Sequence, residues 1–234
     1  MTNLKFIFGR LLGAIPTLLV LICFAFFLVK SAPGGPFDFE RSLPEEVEKN
    51  LREAYNLDDP LYLQLTKYVG SILTGDFGPS FQYRDYTVTE LIMSGFPVSL
   101  RLGVAAIFLA LILGGTIGTI AALNQNSRLD YGVMFFGMVG ISIPNFVMAP
   151  LLVLIFSIAL NILPAGGYAN GAPLHMILPV IALALPQAAY IARLTRGSMI
   201  EVLNSNFVRT TRAQGLSLNT IILKHVLKPT FLPV

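Results

Sequence analysis

Long uncharged apolar runs separated by polar stretches organise this chain. Lys5 and Arg10 precede a first run, Leu11 to Val29, about long enough to span a bilayer core. A removable leader would carry a shorter apolar core and a small-residue cleavage site, and no such site follows Lys30. An uncleaved first span with a cytoplasmic N-terminus is therefore expected. Arg101 opens a second span, Leu102 to Leu123. Between Asp130 and Arg193 no Asp, Glu, Lys or Arg occurs, and a turn-rich cluster from Leu163 to Pro173 divides this tract. The division predicts a third span over about 131–161 and a fourth over about 174–192.

The polar stretches differ from one another. From Ser31 to Pro97 acids outnumber bases, which suits a long loop on the far side of the membrane. Leu43, Val47, Leu51 and Tyr55 repeat at helical spacing behind a Ser42 cap, and Leu61, Leu65, Tyr68, Val69 and Ile72 do so after Pro60. Gly75, Gly78 and Pro79 are expected to end that second helix. The acids of this loop read more simply as a solvated helix face than as catalytic groups, because no nucleophile or pocket-forming pattern accompanies them.

After the fourth span comes a short amphipathic stretch with a different rhythm. Asn206 is placed to cap a helix over Phe207 to Gln214, and Gly215 to end it in the left-handed conformation. Ser217 is placed to cap a second helix, Leu218 to Leu227, which Pro229 would stop. Leu218, Ile221, Ile222, His225 and Val226 share one face of it. Arg209, Arg212, Lys224 and Lys228 make the pair basic. Four crossings from a cytoplasmic N-terminus return this basic elbow to the cytoplasm, in agreement with the positive-inside rule.

Composition agrees with a membrane protein: 54% of residues are hydrophobic, 12% are charged, and mean hydropathy is +0.70. The net charge of +3 is explained by bases beside apolar spans, without invoking nucleic acid. Cys23 lies within the first run and reads as a small buried hydrophobe.

Two features inside the spans bear on mechanism. Ala106, Ala110, Gly114, Gly118 and Ala122 fall four apart, so one ridge of the second span is small throughout. Packing within the bundle is the plainer reading; a dimerisation or pore-facing ridge is the other. Pro144 and Asn145 put a kink and an amide side chain together at membrane depth, either as a structural kink or as a pathway contact. No phosphate loop, dinucleotide fingerprint, metalloprotease motif or nucleophile elbow occurs, so neither a cofactor nor a metal site is expected. His175 and His225 read as structural. No acid lies inside a predicted span, which removes the usual ion relay of a secondary transporter. A translocator without internal energy coupling is either passive or driven by a partner. An intramembrane enzyme would need a nucleophile–base or metal constellation that the sequence lacks.

The stretch Asn206 to Val234 resembles the cytoplasmic coupling loop of ABC-importer permeases. Ala213, Gly215 and Leu232-Pro233 stand where that pattern has an alanine, a glycine and a Leu-Pro pair. Thr211 and Gln214 depart from it, at positions where alanine and lysine are usual. Arg10-Leu-Leu-Gly-Ala-Ile-Pro16, Ala32-Pro-Gly-Gly-Pro-Phe37, Gly75-Asp-Phe-Gly-Pro-Ser-Phe81 and Arg196-Gly-Ser-Met-Ile-Glu-Val-Leu203 resemble the dipeptide/oligopeptide/nickel group of these permeases, and its oligopeptide branch above all.

The resemblance implies an all-α polytopic permease, the transmembrane domain of a type I ABC importer. It implies a first span within 1–30, an extracytoplasmic helical loop over 31–98, and a core permease domain over 99–234 with its coupling loop at 206–229. It further implies a peptide substrate, a second homologous permease subunit, two cytoplasmic ATPase subunits, a periplasmic or lipid-anchored peptide-binding protein, and residence in a bacterial inner membrane. Hydrolysis of ATP would then belong to the partner ATPases, not to this chain. Arg209, Arg212, Ala213, Gln214, Gly215, Leu216 and Ser217 would make the ATPase contact. Because such permeases have six spans, the chain reads as lacking the last two. Dipeptide or nickel cargo, and a passive channel or secondary transporter, are the competing readings.

Overall fold

A computed structural model describes residues 2–31, 59–80, 83 and 86–233. The helix expected behind Ser42 lies outside the described residues. Helices account for nearly all of the regular structure: α1 (Thr2–Ser31), α2 (Leu61–Leu73), α3 (Val88–Leu123), α4 (Arg128–Ser142), α5 (Asn145–Leu152) with a π-helical continuation (Val153–Ala159), α6 (Pro173–Leu203), α7 (Asn206–Ala213), α8 (Leu218–Ile221) with a π-helical turn (Ile222–Val226), and α9 (Leu227–Thr230). Among the described residues three helices, α1, α3 and α6, are each long and apolar enough to cross a membrane, and α4 with α5 makes a fourth if the bent pair is one span.

The backbone contacts divide the chain into two units, Met1–Gly95 and Phe96–Val234. In the first, α1 packs on α2 through Phe26 and Tyr68, whose rings lie 5.6 Å apart. α2 ends at Leu73, and Gly75 and Gly78 follow with φ of +77° and +79°, a conformation that strains any residue with a Cβ. Thr87 and Glu90 then start α3 as a capping box. Glu90 Oε2 accepts from the Thr87 N–H (2.8 Å), and Thr87 Oγ1 accepts from the Glu90 N–H (3.1 Å).

The second unit is built around α6. One face of α6 packs on α3: Ala106, Ala110, Ala184 and Ala188 form a buried cluster, and Gly114 and Gly118 meet Ala188 and Ala192 further along. The paired positions rise together, 114 with 188 and 118 with 192, so the two helices run parallel. All five small ridge residues are buried against this chain's own α6 or the elements beyond it. In lipid, where apolar side chains gain little from leaving a solvent as apolar as themselves, close backbone approach across small residues supplies the packing energy. The N-terminal half of α6 packs on α5 through Leu152, Leu178 and Ala182.

Parallel packing of α3 and α6 requires the chain to change sides between them. Arg101, near the start of the second predicted span, donates to the Tyr168 hydroxyl (2.9 Å) just before α6, whereas Asp130 at the start of α4 contacts Arg196 near the end of α6. Residues 130 and 168 therefore lie at opposite ends of a helix about 45 Å long. The bent α4–α5 pair carries the chain from one side to the other and does not return it.

Several boundaries differ from the sequence expectation. The third span is broken: Ile143 and Pro144 are extended, and α4 and α5 meet at a bend of 102°. Pro144 has no N–H to continue α4, and its ring disfavours helical backbone at Ile143. The helices holding the second and fourth spans are longer than their apolar runs, starting at Val88 and ending at Leu203. In the basic elbow, Ser205 and not Asn206 is the cap: it is extended (φ −67°, ψ 151°), and its Oγ accepts from the Val208 N–H, while Asn206 is already helical. Pro229 does not stop the second helix, which continues to Thr230. The wider π turn just before it eases the clash between the Pro229 ring and the His225 carbonyl.

Candidate functional site

The elbow is folded as a hairpin against the end of the α3–α6 pair. Ser217 caps α8 as expected, its Oγ accepting from the Thr220 N–H (3.4 Å). Gly215 has φ of +79°, and its N–H donates to the Arg212 carbonyl (3.0 Å), closing α7 with a left-handed residue. Within this chain a Cβ at Gly215 would meet nothing within 4 Å, so the demand for glycine here is conformational and not one of space.

Inward faces of the hairpin form a water-excluding core. Val208 from α7 and Ile221 and Val226 from the second helix are fully buried with Met199 of α6 and Ala122 of α3. Each of the larger side chains contributes about 1.5–3 kcal/mol by leaving water, more than a bare hairpin of two short helices could supply from backbone hydrogen bonds alone. His225 stands edge-on to Phe207 with ring centres 5.6 Å apart, and the Thr230 hydroxyl donates to the Val226 carbonyl (2.8 Å). Of the predicted inward face, Ile221, Ile222, His225 and Val226 turn in; Leu218 stays exposed. The Phe231 ring lies where a Cβ on Gly115 would come within 3.0 Å, fixing the end of the hairpin to α3.

The opposite surface is open. Arg209, Arg212, Ala213, Gln214, Gly215, Leu216 and Ser217 are all exposed and contiguous around the elbow, with Leu218 beside them and Lys224 and Lys228 further along. An exposed elbow with three aliphatic side chains and flanking cations has the chemistry of a docking surface for a protein with an apolar cleft and acidic margins. The chain's other candidate groups lie elsewhere. Asn145 is exposed at the α4–α5 break, well apart in sequence and packing from the hairpin, and Gly114 and Gly118 are in the α3–α6 contact. Among the described residues no cluster of His, Cys, Asp and Glu could hold a metal ion.

One arrangement was not legible in the sequence. Asp130, with its side chain 1% exposed, takes a two-pronged contact from Arg196: Nε to Oδ1 at 2.5 Å and Nη2 to Oδ2 at 2.6 Å. The same carboxylate accepts the Asn126 N–H (2.9 Å). The partners are 66 residues apart, and the only hint in the sequence is that an acid opens the uncharged tract and bases close it.

Residues 114–234 match the family of binding-protein-dependent transport system inner membrane components, and residues 3–103 match that family's N-terminal region. The chain belongs to this family. It is therefore a multi-pass inner-membrane component of a transport system, with a role in translocation. An oligopeptide transport system permease protein of Haemophilus influenzae is 57% identical over 231 residues, covering 99% of this chain and 76% of the relative. Its counterpart in Escherichia coli K12 matches equally over the same shares. A dipeptide transport system permease protein of Bacillus subtilis is 45% identical over 230 residues, covering 98% of this chain and 74% of its own length.

Proposed function

We propose that this chain is the permease subunit of an ATP-driven peptide importer, with the α7–α8 hairpin as the element through which cytoplasmic ATPases move the spans. The peptide cargo is supported by relatives named for oligopeptide and dipeptide transport. The drive from outside the chain is supported by the hairpin, whose inner face is fixed to α3 and α6 and whose outer face is exposed and basic. This double attachment is the observation that carries the reading. A docked ATPase that shifts the hairpin must also shift Met199 and Ala122, and with them the ends of both parallel helices. A second permease subunit, two ATPases and an external peptide-binding protein complete the system. The N-terminus and the hairpin both face the cytoplasm, a placement that the basic hairpin supports.

Gly215→Val tests the coupling role in the assembled transporter. Left-handed backbone costs an L-residue about 1–2 kcal/mol, and open space around Gly215 adds no clash, so insertion and spans should survive. Binding-protein-stimulated ATP hydrolysis and peptide uptake in proteoliposomes should fall about tenfold or more, the scale of an ordinary coupling free energy. Wild-type hydrolysis and uptake in this variant would remove the hairpin from the mechanism. The oligopeptide assignment is checked by uptake of labelled peptides of two to five residues in competition; preference for dipeptides alone would move the chain to the other branch.

A further inference from the structure

We infer that Asp130 and Arg196 are positioning residues that make the broken span move with the coupling hairpin. The inference rests on the importer reading above and assigns to it a specific mechanical link.

The contact between α4 and α6 also includes two glycines of α4. Gly137 and Gly140 face Ala189, and even an added Cβ would come only to 3.9 and 3.6 Å of it. Packed helices can shift by small shear displacements, and small residues at the contact present little side chain to oppose one. The Asp130–Arg196 fork is a specific, directional attachment on that surface. Its two parallel hydrogen bonds fix orientation as well as distance. Asp130 is almost wholly removed from water, so separating it from Arg196 would strand a charge. The carboxylate also holds the Asn126 N–H in the α3–α4 connection, where Asn126 takes a left-handed φ of +64°. One carboxylate thus ties the end of α3, the start of α4 and the end of α6.

Arg196 lies three residues before Met199, which is fully buried among Val208, Ile221 and Val226 of the hairpin. Displacement of the hairpin reaches Met199, then Arg196 less than one helical turn away, then Asp130 and α4. At its far end α4 closes with the Ile143 N–H on the Val139 carbonyl, α5 opens on the Pro144 carbonyl, and the prolyl nitrogen between them has no hydrogen with which to bond across the break. The fork drives one end of α4 and the break absorbs the motion at the other. Without the fork, α6 can follow the hairpin while α4 slips along its glycine face.

The test uses the assembled transporter with its ATPases and binding protein in proteoliposomes, reading ATP hydrolysis and peptide uptake on one preparation. Asp130→Asn keeps shape and removes the charge. It should leave subunit co-purification and basal hydrolysis in place while peptide carried per ATP falls about tenfold. Asp130→Arg with Arg196→Asp reverses the fork and should restore that ratio to within about threefold of wild type, as a pairwise interaction requires. If Asp130→Asn does not accumulate in the membrane, Arg196→Lys replaces it, keeping the charge and losing the fork, and its ratio should also fall. An unchanged peptide-per-ATP ratio in the single variant, or an accumulated reversed pair that stays uncoupled, overturns the inference. A wild-type preparation that neither binds ATPases nor responds to binding protein would instead refute the importer reading itself.

Discussion

At the scale of single residues, glycines do two unlike jobs, and the structure separates them. Gly215 supplies a backbone conformation. Gly114 and Gly118 supply absence of volume: a Cβ on Gly114 would stand 2.6 Å from the Ala188 carbonyl oxygen and 2.7 Å from Ile191 Cβ, and one on Gly118 would collide with the Ala192 carbonyl. Even alanine should therefore push α3 and α6 apart, so Gly114→Ala and Gly118→Ala are expected to destabilise the permease by about 1–3 kcal/mol, as overpacking does. Gly103→Ala, on the same helix but with nothing within 4 Å, should be neutral or slightly stabilising. Thermal unfolding of the purified complexes in detergent checks all three; equal midpoints would mean the helix pair adjusts freely. The sequence exposes both glycine roles, because a left-handed stop between two capped helices and a four-residue repeat of small side chains are local patterns. It does not expose the Asp130–Arg196 fork, because nothing local tells an ion pair formed across 66 residues from two interfacial charges.

At the scale of elements, apolar runs reveal that a span exists but not how its backbone is laid. Lipid tolerates any apolar side chain on the outer face, so the run from 131 to 161 looks uniform whether the helix is straight, kinked or broken. Pro144 signals an interruption, yet its size depends on how α4 and α5 each pack on α6. Polar caps are easier to foresee, though Ser205 and Asn206 offer equivalent side chains at adjacent positions and only the backbone decides between them. Pro229 misleads for the opposite reason, since a π turn accommodates a proline that would end an ordinary α-helix. The break makes its own prediction. Spin labels at Tyr131 and Ile158 should lie roughly 25 Å apart across the bend, against roughly 40 Å for a straight helix of that length. Pro144→Ala should shift the distance distribution outward and lower uptake without lowering insertion. A distribution already centred near the longer value in the wild-type protein would show that the helix is not broken in the membrane.

At the scale of the whole molecule, hydropathy and contact geometry bear separately on topology. Charge distribution favours the cytoplasmic side for the hairpin, as proposed above. The parallel register of α3 and α6 says, without reference to charge, that the α4–α5 pair crosses the membrane between them. A re-entrant pair would return the chain to its side of entry and force α6 to run antiparallel to α3. One labelling experiment tests charge and register together. In a Cys23→Ser background, single cysteines at Leu73, Gly166 and Asn219 all occupy exposed positions, the first at the end of α2, the second in the connection before α6 and the third in the hairpin. An impermeant thiol reagent added to intact spheroplasts should modify Leu73→Cys and Gly166→Cys, and should reach Asn219→Cys only after the membrane is opened. Labelling of Asn219→Cys from outside would invert the orientation and remove the cytoplasmic ATPases from the hairpin. Protection of Gly166→Cys with Leu73→Cys still labelled would make the bent pair re-entrant. That result would be incompatible with the Arg101–Tyr168 contact, which holds the connection before α6 at the same membrane face as the start of the second span.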